Sequence, residues 1–148
     1  LLIGPVTDDR LRPELEKLQR VNNFTWLGPR PQTETPAYLQ HSAVGLIPFY
    51  LNELTEAVNP LKYYEYLACG LPVVAPPMRE LTAMKGPLYL YRDKRELCAA
   101  LQKAAAAGDE ERRSNTTFAA GQTWRSRFAE ICSIIEDLKE SGAGGNIG

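Results

Sequence analysis

The stretch AVNPLKYYEYLACGLPVVAPP, residues 57–77, sets the reading of the whole chain. Pro60 suits the first position of a helix, because its missing N–H would have no partner there, and Asn59 suits the cap before it. The spacing predicts a helix to about Ala68, with Gly70 as the C′ residue in the left-handed conformation. Pro72 to Pro76 then reads PVVAP, with no polar position in it. A strand that is apolar on both sides belongs in a sheet covered on both faces, which is the setting of parallel strands.

Working outward, the same alternation recurs. LLIG (1–4) reads as a strand stopped by Pro5. Residues 7–20 place Leu11, Leu15 and Leu18 on one helical face, with Thr7 or Asp8 available to cap. FTWLG (24–28) is a second strand, TETPAYLQHS (33–42) a short helix and VGLIPF (44–49) a third strand. PVVAP is the fourth strand and GPLYLY (86–91) the fifth. Residues 93–108 form an alanine-rich helix ended by Gly108. Residues 123–141 carry Trp124, Phe128, Ile131, Ile135 and Leu138 on one stripe of a long amphipathic helix, a face expected to pack. The expected fold is therefore α/β, a doubly wound, Rossmann-like parallel sheet over residues 1–140, with residues 141–148 as a flexible tail. Such folds bind ligands at the carboxyl ends of their strands, which directs attention to 28–32, 49–59 and 76–80.

Composition narrows the classes. The chain has 148 residues, 44% hydrophobic and 24% charged, values usual for a globular domain. A formal net charge of -1 argues against a broad nucleic-acid surface. No apolar run approaches the ~20 residues of a membrane span. The start has no basic region ahead of its apolar run, so it does not read as a signal peptide. It lacks methionine and is read as the beginning of a piece of a longer chain. Cys69, Cys98 and Cys132 are widely separated and read as free thiols of a reducing cytosol. With His41 the single histidine, neither a metal site nor a histidine relay is expected. The glycine signatures of NAD and ATP sites are absent.

The chemistry concentrates at 59–65. The first turn of that helix offers unpaired N–H groups and the positive end of the dipole. Lys62 sits in this turn, where a cation costs about 0.3–1 kcal/mol unless an anion neutralises it. N–H groups, dipole and ammonium together suit a phosphate. Glu65 follows one turn later, in the weaker order for a helical ion pair. Its carboxylate could accept hydrogen bonds from two sugar hydroxyls. The plainer alternative is a solvated Lys-Glu face.

The segment NPLKYYEYLACGLPVVAP resembles the donor site of GT-B glycosyltransferases, in the large retaining group called family 4. FTWLGPRP, AYLQHSAVGLIPF and TWRSRFAEI fall where that group has similar segments. The resemblance covers about residues 1–140 and implies a C-terminal, donor-binding domain that lacks its first strand-helix unit and the N-terminal acceptor domain. It implies that Glu65 holds the ribose of a nucleotide diphosphate sugar. Lys62 and the backbone of Asn59, Pro60 and Leu61 would then face the diphosphate. Gly28 to Pro31 would line the base, with Arg30 or Pro31 packed on its face, and Pro48 to Leu51 would lie near the sugar. The implied protein works without cofactor or metal, in the cytoplasm, on a polysaccharide or glycoconjugate acceptor. Peripheral membrane association of the full protein is left open. No catalytic residue is expected in this part of the chain, and by itself it is expected to be inactive.

One position departs from the family. Two glutamates separated by seven intervening residues are usual there, yet counting back from Glu65 gives Ala57, with Glu56 one place off and Glu53 in the same loop. This supports an alternative reading as a non-catalytic Rossmann-like module with a degenerate pocket. Among other residues, His41 reads as a helix end. Tyr64, in line with Leu61 and Ala68, is assigned to the core. Glu80 is either a first-turn acid or a ligand neighbour. The ERR cluster at 111–113 reads as a solvated face.

Overall fold

The computed structural model describes residues 1–84 and 86–142. It divides into two compact units, Leu1–His41 and Ser42 onward.

In the first unit Asp8 accepts from the Arg10 N–H and caps a 3-10 turn at Asp9–Leu11. That turn leads into α1, Arg12–Gln19, which buries Leu15. The ionised Asp8 carboxylate is favoured first by the Arg10 side chain and then by its backbone N–H, so its pKa is lowered. α2, Thr35–Gln40, comes next, with His41 as its exposed C-cap. The two strands expected here are reduced to one parallel bridge, Leu2 with Trp26. Positive φ at Gly4 (143°) and Gly28 (72°) turns the chain at the end of each segment and cuts the pairing short. Indole N–H donation from Trp26 to the Gly4 carbonyl, 2.9 Å, locks the pair.

The second unit holds a three-stranded parallel sheet: β1 (Gly45–Leu46), β2 (Val73–Ala75) and β3 (Tyr89–Leu90), in that spatial order. Gly45 pairs with Val73, and Val74 with Tyr89. β2 is fully buried, as the run PVVAP requires. Its side chains alternate between two cores. Val73 and Ala75 pack with Ile47, Tyr63, Leu67, Met78 and Leu81. Val74 packs with Ala100 and Ala104 of α6, Lys94–Ala105, on the opposite side. Helices therefore cover both faces, and the fold is α/β with a parallel sheet. Each fully buried Leu or Val contributes about 1.5–3 kcal/mol through surface removed from water.

The remaining helices are α3 (Glu53–Glu56), α4 (Leu61–Ala68), α5 (Arg79–Ala83), α7 (Asp109–Gly121) and α8 (Trp124–Gly142). No apolar pattern announces α7, because its apolar content is low and its interior side is built on Asn115. Nδ2 of this fully buried residue donates to the Leu71 carbonyl at 3.2 Å. The ERR cluster is not simply solvated. Glu111 accepts from the Tyr89 hydroxyl at 2.9 Å, and Arg112 donates to the Ala43 carbonyl. Both bonds tie α7 to strand regions of the unit.

The inward face of α4 is Tyr63 and Leu67, both fully buried. Tyr64, assigned to the core by its line with Leu61 and Ala68, packs against the edge of that core. Leu61 is 69% exposed and Tyr64 is half-buried. The helix begins one residue later than expected, and its buried face is the i, i+4 pair Tyr63 and Leu67. Two glycines make room for its rings. A Cβ on Gly45 would run into the Tyr66 ring, and one on Gly86 would run into the Tyr63 hydroxyl and the Phe118 ring.

α8 overturns another expectation. Its stripe is exposed, from 84% at Trp124 to 44% at Ile135. Its first turns are held to the body by Arg127, which donates to the Tyr64 hydroxyl at 3.0 Å and lies 5.9 Å from that ring's centre. The helix continues to Gly142, so it takes in the first two residues of the expected tail. Residues 143–148 lie outside the described residues.

Candidate functional site

The sequence-predicted residues of the second unit gather at the start of α4. Pro60, not Asn59, occupies the cap position, with φ -76° and ψ 115°, and no side chain caps the helix. Leu61 is thus the first helical residue. Pro60 keeps an extended ψ, so the helix starts after it. Asn59 is exposed and Pro60 is buried. The Tyr63 N–H returns to the Pro60 carbonyl at 3.0 Å. Among the described residues the N–H groups of Leu61 and Lys62 have no acceptor. An uncapped helix start with two free donors and an exposed ammonium beside them is a place for an anion.

Lys62 is exposed and Glu65 half-buried. Among the described residues neither side chain forms a hydrogen bond or an ion pair, including with the other. Glu65 still acts on its neighbours electrostatically. Burial, and then the Glu65 carboxylate, raise the pKa values of Tyr66 and Cys69. Both groups stay neutral at ordinary pH. The Cys69 thiol is therefore a poor nucleophile, and no covalent chemistry is expected from it.

The far end of α4 is fixed with equal care. Gly70 has φ 75°, its N–H reaches the Leu67 carbonyl at 2.8 Å, and Leu71 N–H reaches Tyr66 at 2.9 Å. This Schellman arrangement turns the chain straight into β2. The helix start consequently faces the strand-end loops of its own sheet.

The loop after β1 carries more structure than the sequence suggested. Pro48 to Leu51 leads into α3, whose capping box joins Asn52 and Thr55. The Asn-x-x-Thr spacing is the local signal for it. Thr55 Oγ1 also donates to the Tyr50 carbonyl at 2.6 Å. Ala57, the position of the expected acid, ends α3 and is exposed. The Glu56 carboxylate accepts from the Arg79 N–H, the first of α5, at 3.2 Å. Glu80 lies in the first turn of α5, 3.8 Å from Arg79.

Gly28, Arg30 and Pro31 belong to the first unit. Gly28 turns the chain after the Trp26 bridge, and Arg30 and Pro31 are exposed in the loop beyond it. Among the described residues no group of three or more His, Cys, Asp or Glu side chains could hold a metal ion. Among the same residues no helix is long and apolar enough to cross a membrane.

Comparison with known proteins identifies a family and a relative. The chain is 29% identical over 123 residues to a Bacillus subtilis (strain 168) protein named as a putative teichuronic acid biosynthesis glycosyltransferase, TuaH. The similar region covers 78% of this chain and 31% of that relative, so the chain spans about a third of the relative's length. No solved structure matches. The family model described as "Glycosyl transferases group 1" matches residues 1–107, which include the parallel sheet and the whole of α4. With the match spanning most of its length, this chain belongs to the group 1 glycosyltransferases.

Proposed function

We propose that the chain is the donor-binding part of a retaining glycosyltransferase, one that moves a sugar from a nucleotide diphosphate to a polysaccharide or glycoconjugate acceptor. The observation that carries this reading is the start of α4, where Lys62 and the N–H groups of Leu61 and Lys62 lie open with no partner among the described residues. A diphosphate fits that gap in charge and in donors. Glu65, half-buried and unpaired one turn on, suits the two ribose hydroxyls. Asn59 and Pro60 set the turn, and the backbone from Asn59 to Leu61 faces the phosphates. Gly28, Arg30 and Pro31 serve the base.

In this reading the bond between the sugar's anomeric carbon and the diphosphate oxygen breaks, and the acceptor hydroxyl oxygen takes the sugar while losing its proton. Negative charge grows on the departing diphosphate. Lys62 and the helix N–H groups stabilise it where it forms, so electrostatics at α4 lower the barrier without a metal. Any general base belongs to the acceptor-binding domain. The protein would act in the cytoplasm or at the membrane periphery. The relative is named for teichuronic acid biosynthesis, which suits a polysaccharide or glycoconjugate acceptor here.

Ala57 favours a second reading, a non-catalytic module whose pocket has degenerated. Titration of the full-length protein with UDP, GDP and their sugars separates the two. The donor reading expects saturable binding with amide shifts around 59–65 and 28–31. Lys62→Ala and Glu65→Ala should each weaken binding by about tenfold or more, the loss of a charged hydrogen-bond partner. Absence of binding at millimolar nucleotide sugar would overturn it.

A further inference from the structure

The loop between β1 and α4 is anchored at both ends. Ile47 N–H bonds the Val74 carbonyl at 2.9 Å, and Pro60 is buried. Between these points the Asn52–Thr55 box and the Thr55–Tyr50 bond act within the loop itself. Glu56 is different. Its Oε2 accepts from the Arg79 N–H across 23 residues of sequence, at the first residue of α5. Among the described residues it is the side chain of this loop that is bonded outside the loop. β1 and β2 are neighbours in the sheet, so this bond links the segments that follow their carboxyl ends. Only four residues separate Glu56 from the first residue of α4.

We propose that Glu56 is a positioning residue: by holding the segment after β1 to the start of α5, it fixes where the free N–H groups of α4 point. This rests on the donor-binding reading of α4. The Arg79 N–H needs an acceptor oxygen, not a negative charge as such. The departure at Ala57 takes a definite meaning. Glu56 is turned toward the start of α5, and Ala57 next to it carries no functional group.

The test compares Glu56→Ala and Glu56→Gln in the full-length protein. Glutamine keeps an acceptor oxygen at nearly the same reach, and alanine does not. Hydrogen exchange without ligand is read first. Glu56→Ala should speed exchange of the Arg79 amide and of peptides spanning 57–63 by about tenfold, with α7 unchanged, and Glu56→Gln should stay close to wild type. No acceleration in Glu56→Ala overturns the proposal whether or not any nucleotide binds. Steady-state kinetics with a panel of UDP- and GDP-sugars is read second. Glu56→Ala should raise the donor KM by about tenfold with kcat changed less than about twofold, and Glu56→Gln should restore it. Equal loss in both variants overturns positioning in favour of a carboxylate acting on the donor. If exchange behaves as expected while no nucleotide sugar is bound or turned over by wild type, the positioning role stands and the donor reading fails.

Discussion

α4 and α8 carry the same kind of pattern and meet different fates. Both are amphipathic, with apolar residues at helical spacing. α4 is eight residues long and drives Tyr63 and Leu67 fully into the core beside β2. α8 is nineteen residues long and leaves its stripe in the open, with Phe128 69% and Leu138 66% exposed. Periodicity identifies the apolar face of a helix. It says nothing of whether the chain itself supplies the surface that covers it. Length is a misleading guide too, because the shorter helix is the one the fold depends on. The two helices differ in how their ends are held. α4 is pinned at its C-terminus by Gly70 and runs into the central strand, whereas α8 is the last helix of the described residues and is tied at its start by Arg127.

The contrast can be broken most directly in the core. Leu67→Ala should lower stability by about 2–5 kcal/mol, the usual cost of emptying a buried leucine site, read by denaturant unfolding. A loss below about 1 kcal/mol would mean that α4 does not anchor this unit. Asn115→Ala comes next. It removes the bond to the Leu71 carbonyl and leaves that acceptor buried, so about 1–3 kcal/mol should be lost. The same variant sharpens the comparison by testing α7, which packs against α4 while the α8 stripe stays exposed.

Tyr63→Phe should cost about 1 kcal/mol or less near neutral pH, since it deletes a single 3.3 Å bond to the Pro87 carbonyl. Its signature is in alkali. Burial, and then the neighbouring Tyr64, push the Tyr63 pKa up to about 12. The folded state therefore holds this proton more tightly than the unfolded chain, where tyrosine titrates near ~10. The contribution is fully present below about pH 10 and is lost as pH rises toward 12. Unfolding curves across that window should fall steeply for wild type and less steeply for Tyr63→Phe. Parallel curves would remove the buried phenol as their cause. The smallest effect is expected in α8, where Phe128→Ser in the 148-residue chain should change stability by no more than about 0.5 kcal/mol. A loss comparable to that of Leu67→Ala would show the stripe to be covered after all, and the comparison would fail.

Much of the fold is legible in the sequence because its signals are local. PVVAP marks a strand buried on two faces, Gly70 marks a positive φ, and Asp8 marks a cap. The features without a sequence signal are tertiary. α7 has a polar sequence and is held by Asn115, Glu111 and Arg112, whose partners lie far away in the chain. The first two strands shrink to a bridge because glycines at their ends turn the backbone early. At the candidate site, Lys62 and Glu65 stand out by being awkward for a helix, and the structure leaves both without a partner among the described residues. The helix starts one residue later than the capping propensity of Asn59 predicts, because Pro60 keeps an extended ψ. The Glu56–Arg79 bond joins two segments that only sheet pairing brings together, so no local pattern could announce it.

The two glycines beside α4 bear on how this helix could be exchanged between relatives. Tyr66 rests in the notch at Gly45 and Tyr63 in the notch at Gly86, so the helix is keyed into its slot from two sides. A chimera that transplants residues 57–70 will seat only in a recipient with the same two notches. Where a recipient carries a side chain at either place, the graft must bring residues 45 and 86 with it, and the unit of exchange becomes a three-piece module instead of a continuous segment.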